Sequence, residues 1–515
     1  MKKKILRAFV LVAMSATLIV GCGSKEEGKK VNESQSSQEK EVTVKIGGTG
    51  AVVSGLDCAI DWNGWYTVRY GVGETLFKLD ENLSPSPWLA KSYEQVDDKT
   101  LKVTLKENVT FSNGEKVSPE KVIASLKRSG EMNDRATSLK EAEYSVDGND
   151  IIIKSPEVRV TLLNDLCDPY AAIIDVENTK DFDKAPIGTG PFVVDKFELE
   201  KKADLVKNDK YWDGQAKVDK VEYIQVADAN TLAMSLQTGE IDIAIDLTPE
   251  AAASLSQDKN ITVDKTVQPR VYQLYFHLEK MTDKAVREAI MYGIDKETIG
   301  NELLKGNVTP AKGAFLEDSD YNSSKLETPT FDKEKAKSLL KEAGYEDTDN
   351  DGIVDKDKKP LKVELSIYKR LAMEAIATQM QAQLKEVGIQ VEIKVSEKST
   401  YFAPGDFEMG LYSIVTTPTG DPYAFLRDAL QTDGVANYGK YSNEKVDAAL
   451  LELNKTFDGQ KRVDLVNEIQ QQAINDAAFD VIGFHNMSVA YAKTISGYKT
   501  SPNDYYQVTK DLEKK

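Results

Sequence analysis

Residues 361–395 read LKVELSIYKRLAMEAIATQMQAQLKEVGIQVEIKV. The opening LKVELSIY alternates with the period of a strand. Met373, Ile376, Met380 and Leu384 then recur at helical spacing, and the run stops at Gly388. Ile389, Val391, Ile393 and Val395 alternate again. A strand–helix–strand of this length predicts a right-handed crossover between parallel strands. The body is therefore expected to be mixed α/β.

The same two periods recur outward from this unit. Val42, Val44 and Ile46 alternate, as do Leu101, Val103 and Leu105. FSNGEKVSPEKVIASLKR, from Phe111, predicts a turn at Asn113-Gly114 and a helix with Ser118 as N-cap and Pro119 at its first position. DANTLAMSLQTG, from Asp228, reads as a helix stopping at Gly239, followed by a strand through Ile241, Ile243 and Ile245. KAVREAIMYGIDKETI, from Lys284, places Val286, Ala289, Ile290, Gly293 and Ile294 on one helical face. No repeat at solenoid period is present.

The chain has 515 residues, 41% hydrophobic and 29% charged, which suits a globular protein of about three domains. A net charge of −18 argues against a nucleic-acid partner, which needs a basic surface. Two histidines, His277 and His485, and three cysteines leave few parts for zinc sites or histidine catalysis. No cofactor is expected.

Met1 to Arg7 carries four basic residues and no acid, and Ala8 to Val20 is apolar or small throughout. That core is too short to span a membrane and reads as a signal peptide. It ends in Ile19-Val20-Gly21-Cys22, which resembles the bacterial lipobox, whose cysteine is diacylated and becomes the mature N-terminus. Residues 1–21 are expected to leave, taking the net charge from −18 to −22 with the loss of Lys2, Lys3, Lys4 and Arg7. Residues 22–41 are polar and read as a disordered tether with a reach of roughly 25 Å. Two acyl chains anchor stably where one is marginal, so the body is expected at the outer face of the cell membrane. Cys58 and Cys167 remain, and that compartment permits them one disulfide.

DTDNDGIVD, from Asp347, imitates a calcium loop with Asp347, Asp349, Asp351 and Asp355 at alternate positions and Gly352 in place. Lys358 stands where an EF-hand needs a bidentate Glu. Asp and Gly are also what an exposed tight turn uses. A connector is expected here, with calcium the lesser alternative.

Six stretches carry a family resemblance: PWLAKSYE at Pro87, VTFSNGEKVS at Val109, APIGTGPFVV at Ala185, NDKYWDG at Asn208, LQTGEIDI at Leu236 and KAVREAIMYGID at Lys284. In this order they resemble the solute-binding proteins of peptide and nickel ABC importers, over essentially everything after the tether. The resemblance implies a two-lobe, type II periplasmic-binding-protein-like fold with an extra subdomain in the first lobe, about 80–180. Lobe one would comprise 42–268 plus 480–515 and lobe two 269–479, with crossings near Arg270–Glu279 and Phe479–Lys493. Ligand would bind between the lobes and pass to the permease of an ABC importer, with the receptor acting as a monomer.

For the ligand, the resemblance offers partial guidance. Peptide binders of the family carry an Asp before a P..FL stretch to hold an α-amine. Here TTPTGDPYAFL places Pro418 and Thr419 there, with Asp421 nearby. Nickel binders show DPHAFL, and Tyr423 replaces that His. A phenol is a poor nickel ligand. Arg135 falls where those binders hold a carboxylate, and a guanidinium fork suits one. Asp168 stands where a second Arg is usual. Trp62, Trp65, Tyr66 and Arg69 add aromatic walls and a charge. Anion and cation anchors together suit a small zwitterion, either a short peptide or an opine-like compound. A nickel or metallophore complex is the alternative. A secreted hydrolase using paired carboxylates is the rival from another class, without a P-loop, HExxH or GxSxG pattern to support it.

Overall fold

The strand–helix–strand unit forms as its periodicity predicts. Strands Lys362–Tyr368 and Gln390–Ser396 run parallel, in register from Lys362 opposite Gln390 to Tyr368 opposite Ser396. Helix Met373–Lys385 between them buries Met373, Ile376, Met380 and Leu384, each worth roughly 2 kcal/mol in apolar surface removed from water. The computed structural model describes residues 41–515 except 371, 398, 403 and 499. The expected signal peptide, Cys22 and all of the tether but Glu41 lie outside the described residues.

One twisted sheet runs through both halves of the body. Its strands lie in the order Gln390–Ser396, Lys362–Tyr368, Met409–Val415, Ile261–Phe276, Phe479–Ala492, Ile243–Ala244, Thr43–Gly48, Lys220–Gln225, Lys202–Lys207 and Phe192–Glu198. The two long strands Ile261–Phe276 and Phe479–Ala492 lie side by side in the middle of the sheet. They pair antiparallel over Ile261–Val267 and again over Val271–Tyr275. Between these stretches the register shifts, and Gln268, Pro269, Arg270 and His485 fall out of the ladder. Pro269 has no N–H to donate, so a break at this point loses little. A bulge also re-aims the side chains beside it. The first long strand begins at Ile261, earlier than the expected crossing at Arg270.

Buried side chains gather into distinct cores. The largest draws on residues from Val271 to Phe484. A second uses residues from Cys58 to Ile174 together with Tyr505. It covers a separate antiparallel sheet, ordered Ala90–Asp97, Thr100–Leu105, Asp150–Lys154 and Glu143–Asp147. Helix Pro119–Met132 starts as expected, with Ser118 accepting the Lys121 N–H and Pro119 in the first turn. A third core holds the main sheet of the first half, from Val44 to Leu512.

Two local expectations change, and the open pairing of Cys58 with Cys167 is answered. The strand expected through Ile241–Ile245 shrinks to Ile243–Ala244, because Asp246 adopts φ +60 and turns the chain away. The helix from Lys284 ends at Gly293, and Asp295 then caps a separate turn through Thr298. Cys58 and Cys167 are both buried free thiols, facing the carbonyls of Ala172 and Leu163.

The recurrent motifs of the first half meet at one buried acid. Glu74 accepts hydrogen bonds from Thr189 Oγ1 (2.9 Å), Tyr211 OH (2.6 Å) and Trp212 Nε1 (2.8 Å). Gly188 and Gly190 flank Thr189 and lie flat on the carbonyls of Val72 and Gly71, where any side chain would collide with backbone. The GTGPF and YWDG stretches thus serve packing around Glu74.

Candidate ligand-binding cleft

Ligands of open α/β sheets collect beyond the carboxyl ends of parallel strands, where the strand order switches. Both halves offer such an edge. In the second half, Lys362–Tyr368 has a parallel neighbour on each side, and Lys369 and Arg370 follow its carboxyl end. In the first half, Thr43–Gly48 lies between two parallel strands, Lys220–Gln225 and Ile243–Ala244. Gly50 and Asp246 follow these ends. The bulge in the long strands adds Arg270 and His485 between the two edges.

Arg270 stands over the Trp65 ring, 5.5 Å from guanidinium carbon to ring centre. Burial and the nearby Arg370 together hold its guanidinium down, to about 10. Arg370 is exposed. Among the described residues neither arginine forms a salt bridge. The field of Arg370 reaches Tyr66 and Asp246 in the first half and Tyr368 and His485 in the second. His485 stacks on Tyr272 at 3.9 Å, and its Nε2 lies 3.1 Å from Ser413 Oγ. Burial, then Arg370 and Arg270, push this imidazole well below its usual range, so it is neutral at pH 7. Tyr368, Tyr412 and Tyr438 extend an aromatic wall, with ring centres 5.5 and 5.4 Å apart in sequence. Trp65 Nε1 is buried without a hydrogen-bond partner among the described residues, beside Arg270.

The residues singled out from the sequence fall into three groups. Trp62, Trp65, Arg135 and Asp168 come together. Arg135 lies over the Trp62 ring at 3.4 Å and binds Asp168 at 2.7 Å, while Trp62 and Trp65 meet edge to face at 5.1 Å. Asp168 is buried and also accepts the Tyr170 N–H, so Arg135 and Asp168 neutralise each other. Tyr66 and Arg69 lie on the same short helix, Gly64–Arg69, but Arg69 is buried and turned to Asp504 at 2.6 Å. Asp421 and Tyr423 sit in the second half. Asp421 is buried against Arg462 and accepts the Tyr423 N–H at 2.8 Å. Tyr423 is nine-tenths buried in the second-half core. Asp428 on its helix feels the charge of Arg135 across the gap.

Arg270, Arg370, Tyr368 and Asp246 were not singled out from the sequence, and His485 was noted only as one of two histidines. Arg370 was the most accessible of them, as a basic residue in the turn between a clear strand and a clear helix. Pro269 in a long apolar run marked the bulge that presents Arg270.

One loop of the second half is gripped from the first. Asn164 Nδ2 donates to the Thr419 carbonyl at 2.9 Å and Tyr505 OH to the Pro418 carbonyl at 3.0 Å. Gly420, at φ +80, packs against the Leu83 carbonyl so closely that any side chain would collide. A cavity of about 240 Å³ adjoins this contact, lined by Leu83, Asn164, Tyr321, Thr417, Asp421 and Arg462. Far from it, Asp347, Asp349 and Asp355 gather their carboxylates within 4.8 Å, while Asp351 turns to the Ile353 N–H. Among the described residues no helix is long and apolar enough to cross a membrane.

Comparison with known proteins gives this geometry a context. Residues 84–437 match the family model of bacterial extracellular solute-binding proteins, family 5 Middle. The chain is 30% identical over 449 residues to the nickel-binding protein NikA of Staphylococcus aureus, covering 86% of this chain and 89% of that one. It is 26% identical to the oligopeptide-binding protein AppA of Bacillus subtilis, over 99% and 98% of the two chains. The crystal structure of NikA from Staphylococcus aureus in complex with Ni(L-His)2 matches with a TM-score of 0.81 at 26% identity, over 92% of this chain and 100% of that one. The structure of AppA in complex with a nonapeptide shares the fold at a TM-score of 0.77 and 22% identity, over 92% and 99%. The fold is that of type II periplasmic binding proteins. The chain belongs to family 5 of the bacterial extracellular solute-binding proteins, which serve ABC importers as substrate receptors and are not enzymes.

Proposed function

We propose that this receptor is lipid-anchored through Cys22 and captures a small carboxylate-bearing solute, amino-acid- or peptide-like, for its permease. One observation carries the ligand class: Arg270 and Arg370 lie within each other's field without a salt bridge among the described residues. Two guanidinium groups held near each other repel unless an anion joins them, and a carboxylate fits their fork. The aromatic wall and the Trp65 N–H would hold the rest of the solute. Arg135, Asp168 and Trp62 form a neutral flank of the same cleft. The neighbouring Asp421–Arg462 pair is spent on the second half's own packing. Receptor action as a monomer, with lobes divided near residues 268 and 480, is part of this reading, and the long-strand bulge would be the hinge. The Asp347–Asp355 turn is a connector in it.

A second reading has its own support. A neutral imidazole is the metal-ligating form, and His485 lies within the field of both arginines. The Staphylococcus aureus relative is a nickel-binding protein. A nickel or metallophore complex bearing carboxylates would use the same arginines. A thermal-shift screen of amino acids, short peptides and their nickel chelates separates the two. Stabilisation by metal-free compounds supports the first reading, and stabilisation only with nickel supports the second. Cys22→Ser should release the protein from the membrane fraction; retention there would refute the anchor.

A further inference from the structure

We propose that Asp246 is the cleft's receptor for the solute's ammonium group, making the ligand a zwitterion whose carboxylate lies on Arg270 and Arg370. The inference rests on the arginine reading above and assigns the opposite charge. Asp246 follows the carboxyl end of Ile243–Ala244, the parallel-strand edge of the first half, as Arg370 follows that of the second. It is exposed, and the charges of Arg69 and, less strongly, Arg370 act on its carboxyl. Its Oδ2 accepts the Gly50 N–H at 3.0 Å, and its Oδ1 makes no hydrogen bond among the described residues. Gly48 and Gly50 make room for this carboxylate: a side chain at either would press within 3.2 Å of Oδ2.

Asp246 holds φ +60, a left-handed conformation that Asp adopts more readily than most residues. The other acids near the cleft are committed: Asp504 to Arg69 and Asp168 to Arg135. Tyr66 joins the two charge sites, since its hydroxyl reaches the Gly50 carbonyl at 3.4 Å and Trp65 beside it supports Arg270. An α-amino acid or a short peptide would lie across Trp65 and Tyr66 with its two charges at opposite ends.

The test is calorimetry on the full chain with chelator present. The probes are the twenty L-amino acids and their glycyl dipeptides, then the deamino analogue and methyl ester of the strongest binder. The deamino analogue should bind wild type about tenfold to a hundredfold more weakly, the range of one charged hydrogen bond. Asp246→Asn, which can keep the Gly50 bond and the backbone conformation, should lose as much for the parent compound and little more for the analogue. Equal binding of parent and analogue to wild type, or an unaffected Asp246→Asn, would overturn the proposal. So would no binding by any probe. A methyl ester that binds as well as the acid would instead refute the arginine site, whatever Asp246 does.

Discussion

Glu74 is fully buried, and burial pushes its carboxyl from 4.5 up to about 7 against the pull of Tyr211, Trp212 and Thr189. The folded state therefore holds the proton more tightly than the unfolded chain. That stabilisation is complete below pH 4.5 and is lost as pH rises through about 7. Glu74→Gln should flatten the profile in that window, by on the order of 3 kcal/mol between its ends. Urea unfolding at several pH values checks this; parallel profiles for variant and wild type would show that Glu74 folds as a carboxylate. At the ligand site, Arg370→Ala should weaken solute binding by about a hundredfold, as expected for a charged hydrogen bond lost from a cleft. The melting temperature should hardly move, because Arg370 is exposed and supports no core. Single residues were the least legible part of the sequence. Asp168 and Asp421 read as free charges because their partners, Arg135 and Arg462, come from distant positions. A left-handed Asp246 has no signature in composition or periodicity.

The elements were legible where one face is apolar and the other is not. The 361–395 unit and the helix after Ser118 formed as their patterns required. The Ile241–Ile245 alternation predicted more strand than exists, because turn geometry at Asp246 outweighs propensity there. The loop Thr416–Asp421 carries its own prediction. Asn164, Tyr505 and the Leu83 carbonyl grip it from the other half, and none of them is part of the proposed charge site. Asn164→Ala should raise the solute dissociation rate about fivefold with the association rate unchanged, since one neutral hydrogen bond of closure is lost. Gly420→Val should hold the halves apart, through both its positive φ and its collision, and weaken binding further. Stopped-flow tryptophan fluorescence reads both rates; unchanged dissociation in both variants would remove this loop from closure.

For the molecule as a whole, six short motifs in order identified the architecture. None of the six contributes a side chain to the proposed charge site. Two of them, GTGPF and YWDG, serve packing around Glu74. The cleft is assembled from a strand bulge, a strand-to-helix turn and a left-handed corner, which meet only in the folded chain. Receptor action requires that ligand favour the form in which the halves meet. Arg270 and Arg370, without a salt bridge among the described residues, supply a reason: an anion between them removes their repulsion. Native mass spectrometry of the full chain, purified without chelator, tests that claim most directly when wild type is set beside the Arg270→Ala, Arg370→Ala double variant. The account predicts a stoichiometric small-molecule adduct on wild type that fragments as a carboxylate, and none on the double variant at equal melting temperature. Equal occupancy on both proteins, or an adduct without a carboxylate, would contradict it.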